Sequence, residues 1–152
     1  MFVSENEWMY KKIIEASQDA VIMADRNGVL CLWNNGAETI FGYSADEVIG
    51  KTLDLIIPNR FRERHWNGYM HVIATSVTKY SNNMLAVPAQ KKDGTLISIE
   101  FTITMLADES GFLHGIAAII RDVTTRRNEE NKIKEKLAAL ETTSNKENSL
   151  SE

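Results

Sequence analysis

Few side chains in this 152-residue chain are suited to chemistry, and the most telling are His65, His71 and a single cysteine, Cys31. His65 and His71 are six residues apart, about 240° round a helix, so they cannot grip one metal as an i, i+4 pair would. One cysteine excludes an internal disulfide framework and a multi-cysteine metal site. Cys31 sits in a strand-like run and reads as a small core residue. No glycine-rich phosphate loop precedes a helix, and there is no Gly-x-Ser-x-Gly. The residues predict no enzyme.

His65 has a more specific setting. Phe61, His65, Tyr69, Val72 and Ile73 fall on one helical stripe, so the imidazole points where the apolar side chains point. Such a histidine is either a core residue bonded to carbonyls or water, or an axial ligand of haem. Gly68, one turn on, costs about 1 kcal/mol relative to alanine inside a helix. It would leave room for a flat ring. Both readings stay open on the residues alone.

The elements that must position this stripe are legible from patterning. Residues 5 to 16 predict an amphipathic helix, within an N-terminal segment 1–17. "DAVIMADRNGVLCLWN" predicts strands at 20–25 and 29–33 around an Asn27-Gly28 turn. From 35 to 57 the chain breaks every few residues, which predicts short helices in series, one started by a Ser44–Glu47 capping box. A longer helix follows at 59–76. Strands are predicted at 79–89 and 95–106 around Asp93-Gly94, and a last one at 112–121. Along 97–105, Ile97, Ile99, Phe101, Ile103 and Met105 alternate with polar residues, as in a sheet covered on one face. Ile99, Phe101 and Ile103 then become candidate walls opposite His65. Beyond the domain at 18–124, composition predicts a solvated helix at 125–142 with a short heptad seam, then a disordered tail at 143–152. The expected class is α+β, with a five-stranded antiparallel sheet and helices on one face.

The bulk numbers constrain partners. Net charge is −4 with basic residues dispersed, which gives no argument for nucleic acid. No signal-peptide pattern opens the chain, and no apolar run approaches the ~20 residues that span a bilayer. A cytoplasmic setting without membrane contact is expected.

With these elements placed, "NNGAETIFGYSADEVIG" resembles the PAS family through Asn34 or Asn35, Ala37, Phe41, Gly42, Tyr43, Glu47 and Gly50. "KKDGT" and the closing "RDVT" at 121–124 extend the resemblance over residues 8 to 125. It implies a sensory or dimerisation module, between which fold alone does not choose. From Pro58 to Gly94 the chain resembles the haem-binding oxygen-sensor PAS domains of FixL-type kinases: a Pro, a His seven residues later, Ala-Thr, then Lys-Asp-Gly. That resemblance implies haem b, with His65 as proximal iron ligand and Lys79 and His71 reaching the propionates. Tyr69, Ile99, Phe101 and Ile103 would line the pocket, Ile103 on the distal wall. Leu85 stands where those sensors carry an oxygen-holding arginine, which implies weak oxygen binding relative to carbon monoxide or nitric oxide. Met84 either offers a thioether as sixth ligand or fills core.

Two alternatives to haem are no cofactor, or non-covalent FAD flanked by Trp33. The Asn-Cys-Arg-Phe-Leu motif of photoreactive flavin domains is replaced here by "GKTLDLIIP". The expected function is a sensor of a diatomic gas or redox state. Its signal would leave through Arg121, Asp122 and Thr124 into the C-terminal helix. A homodimer is expected through the terminal helices, with Ile133, Leu137 and Leu140 joined by Trp8 and Ile13, and a kinase, cyclase or regulator downstream. The competing expectation is a haem-free interaction module, or a binder of a small organic ligand.

Overall fold

The strict alternation along 97–105 produces a sheet with one covered face. In the computed structural model, which describes residues 5–78 and 85–151, five strands form. They are β1 (Ala20–Asp25), β2 (Leu30–Trp33), β3 (Leu85–Gln90), β4 (Leu96–Ala107) and β5 (Leu113–Asp122). Every pairing is antiparallel, in the order β2-β1-β5-β4-β3. The helices are α1 (Glu7–Ala16), α2 (Asn35–Phe41), α3 (Ala45–Val48) and α4 (Asn59–Thr75), with a 3-10 turn at Leu53–Leu55.

Local chemistry sets the boundaries. Gly28 and Gly94 take φ of 77° and 86° at the β1–β2 and β3–β4 turns, a region that L side chains rarely enter. The Ser44–Glu47 capping box starts α3. Asn34 caps α2 by accepting from the Ala37 N–H. The core lies between the helices and one sheet face, with Phe41, Leu30 and Val48 the largest fully buried side chains. Ile97 and Ile99 are buried, and Phe101, Ile103 and Met105 pack against the same cluster.

Both sheet edges are partly closed. On β2, Leu30 N–H donates to Lys51 O and Leu30 O accepts from Gly50 N–H. On β3, Pro88 lacks an N–H, and Gln90 N–H donates to Ile56 O. The strand predicted from residue 79 begins at Leu85, and 79–84 lie outside the described residues.

The chain divides after Asp122. The second unit holds α5 (Thr124–Leu150), 27 residues without a buried side chain. The helix predicted to end at 142 continues where a disordered tail was expected. Residues 143–150 hold neither glycine nor proline, and the Thr142 and Thr143 hydroxyls donate back to Ala138 O and Ala139 O. Among the described residues, no helix is long and apolar enough to cross a membrane.

Candidate functional site

The stripe of α4 is seated by three side chains that grip other elements. Arg62 donates from Nε to Ile57 O (3.0 Å) and from Nη2 to Asp54 O (3.1 Å). Trp66 donates from Nε1 to Asp54 Oδ1 at 2.7 Å and covers Gly28, where an added Cβ would lie 2.1 Å from the indole ring. The buried Tyr69 hydroxyl donates to Asp25 O (2.6 Å) and lies 3.2 Å from Ala24 O. Burial raises the Tyr69 pKa, with Asp25 and Cys31 adding to the effect. The first three turns of α4 are thus fixed against the 3-10 turn and the β1–β2 hairpin.

His65 stands among these anchors. Its ring is 5.0 Å from that of Trp66, edge on, and 5.8 Å from that of Tyr69. Among the described residues, its Nδ1 is the one buried side-chain polar atom without a hydrogen-bond partner. Desolvation lowers the His65 pKa below the ordinary histidine value, partly opposed by the Asp54 carboxylate, so the ring is neutral at pH 7. A neutral imidazole with an uncommitted nitrogen is the metal-ligating form.

The other expected site residues divide. Ile99, Phe101 and Ile103 share the covered face of β4. Tyr69 joins the stripe, but its hydroxyl is committed to main chain. His71 is exposed, as six residues from His65 dictates. Lys79 and Met84 lie outside the described residues, and for Leu85 only the backbone pairing with Phe101 is described. Gly68 is exposed and an added Cβ would meet nothing within 4 Å, so the described packing does not explain the glycine. Trp33 is buried in the core and donates to Tyr43 O at 3.1 Å. Cys31 corrects the expectation of a core thiol. It is exposed on β2 because the pleat turns it away from buried Leu30, and its Sγ rests 3.5 Å from Met23 O. Partial desolvation, then Asp25, raises its pKa.

Sequence reasoning named Asn34 only as part of the family motif and gave no role to this highly connected polar side chain. Asn34, buried, accepts from Val21 N–H and Ala37 N–H and donates to Ile14 O and Asp19 O. The available signal was an N-cap residue opening α2 directly after a strand.

Comparison with known proteins agrees with this arrangement. Residues 9–123 match the family model described as the PAS fold, and the chain belongs to the PAS family. A search of curated proteins returned no match. Among solved structures, a PAS domain of a Colwellia psychrerythraea protein is similar, with a TM-score of 0.68 and 23% identity, over 78% of this chain and 97% of that one. An RNA-binding light-oxygen-voltage receptor is similar with a TM-score of 0.67 and 21% identity, over 89% of this chain and 38% of the receptor. The PAS domain of Bordetella pertussis BvgS gives 0.61 and 20%, over 90% and 99%.

Proposed function

We propose that this PAS domain is a cytoplasmic sensor that binds haem b through His65 and signals a diatomic gas or redox state through its C-terminal helix. The observation that carries this reading is the buried, unpartnered Nδ1 of a neutral His65 on an apolar helix face. A buried histidine nitrogen normally has a hydrogen-bond partner, so this orphan supports a ligand that the chain itself does not supply. Haem, when bound, supplies an iron that takes carbon monoxide, nitric oxide or oxygen. The chain's own part is to hold the imidazole neutral and oriented, through the Trp66 and Tyr69 rings, and to exclude water with Ile99, Phe101 and Ile103. Were haem bound, Lys79 and His71 would hold its propionates, Leu85 would line the pocket without offering a hydrogen bond, and Met84 would offer a thioether to the iron. β5 leads through Val123 directly into α5, the covalent route for output to a kinase, cyclase or regulator.

The test is an absorption spectrum of protein expressed with haem precursor, beside His65→Ala. A Soret band near one haem per chain, lost or shifted in the variant, is expected. No Soret band after haem addition overturns the reading.

A second reading rests on a different observation. Trp8, Tyr10, Ile13, Ile133, Leu137 and Leu140 are all more than half exposed. They suit a haem-free module that pairs with a second copy through its terminal helices. Sedimentation equilibrium of the colourless protein decides it, a monomer at 100 μM counting against it.

A further inference from the structure

α1 is thinly attached, and the hydrogen bond it offers the core comes from its main chain, at Ile14 O. None of its residues is buried, and Trp8, Tyr10 and Ile13 are 66%, 63% and 67% exposed. Between α1 and β2 runs an open groove of about 410 Å³, lined by Tyr10, Lys11, Ile14, Leu32 and Trp33 among others. Among the described residues, the side-chain hydrogen bonds that join this helix and its exit turn to the core at the start of α2 come from one amide group. The buried Asn34 Nδ2 donates to Ile14 O (2.8 Å) and Asp19 O (3.0 Å), with Ser17 O at 3.4 Å. The turn it grips passes so close to α2 that a Cβ on Gly36 would lie 2.2 Å from Asp19 O.

The same turn is held from its other side. Asp19 gives its main-chain oxygen to Asn34 and its carboxylate to Arg121, which forks onto it from Nε (3.2 Å) and Nη2 (3.1 Å). Arg121 is the penultimate residue of β5. One residue therefore connects the exit of α1 with the end of the last strand.

We propose that residues 17–19 are a polar latch that releases α1 as a unit, and that the Asp19–Arg121 fork couples this release to the end of β5. Little apolar packing opposes release: no residue of α1 is fully buried, and only Ile14 among its large apolar side chains is partly covered. Losing the Asn34 donor breaks the bonds to Ile14 O, Ser17 O and Asp19 O at once. Displacing the turn then either pulls Asp19 from Arg121 or carries the strand end with it. The device is independent of any cofactor.

Hydrogen exchange of the full chain carrying Asn34→Asp tests it. The carboxylate keeps both acceptor bonds, to Val21 and Ala37, but has no N–H and faces three carbonyl oxygens. Amides of Ile13–Ser17 and of Ile120–Arg121 should exchange about tenfold faster or more, while those of Ile103–Met105 and Ile116–Ala118 stay within about twofold. Unchanged exchange in α1, or equal acceleration throughout the sheet, overturns the latch. Acceleration in α1 without any at Ile120–Arg121 overturns the coupling. Should Asn34→Asp fail to fold, Gly36→Ala gives the same readout, since it favours α2 as a helix yet displaces Asp19 O.

Discussion

α4 and α1 both carry aromatic side chains, but the fold uses them in opposite ways. On α4, Trp66 and Tyr69 face inward and end on specific acceptors, Asp54 Oδ1 and Asp25 O. On α1, Trp8 and Tyr10 face solvent, and attachment falls to a side chain of another element, Asn34. The first helix resists displacement through shape and hydrogen bonds together. The second rests on hydrogen bonds, each worth only about 1 kcal/mol net. A signalling domain can use both kinds: a fixed wall and an element loose enough to be displaced.

The contrast can be broken at the hairpin under α4. Gly28→Ala places a methyl group in the Trp66 ring at a φ of 77°, and should cost about 2–3 kcal/mol in urea unfolding. Tyr69→Phe should cost about 1–2 kcal/mol, because Asp25 O loses its buried donor. Gly68→Ala should instead stabilise the cofactor-free protein by about 1 kcal/mol, since the added methyl meets open space. A loss of haem uptake in that variant, at unchanged or higher stability, would place the guest against Gly68. The smallest effect belongs to α1: Trp8→Ala with Ile13→Ala should move unfolding by under about 0.5 kcal/mol. A loss comparable to that of Tyr69→Phe would show that the two helices are held alike.

The fold was legible where the physics is local. The Asn27-Gly28 and Asp93-Gly94 turns, the Ser44 capping box and the alternation along 97–105 each act within a few residues, and each was found where the pattern placed it. The site was legible only as a helical stripe. Periodicity put His65, Tyr69 and Val72 on one face, but it could not show that the Tyr69 hydroxyl is spent on a strand 44 residues earlier. The bonding role of Asn34 was hidden for the same reason, because its partners come from α1, the following turn, β1 and α2. Cys31 was misjudged because a four-residue strand at a sheet edge buries only part of its face, so apolar composition did not fix its direction.

The closed edges of the sheet bear on life in company. Pro88 offers no amide, Gln90 has spent its own on Ile56, and Leu30 is already bonded to residues 50 and 51. A passing extended segment therefore meets an interrupted ladder at either side. Neighbouring copies, whether crowded in solution or strung along one polypeptide, are discouraged from zipping together strand by strand. Strand-by-strand pairing at either edge would have to break a bond already made, at Leu30 or at Gln90.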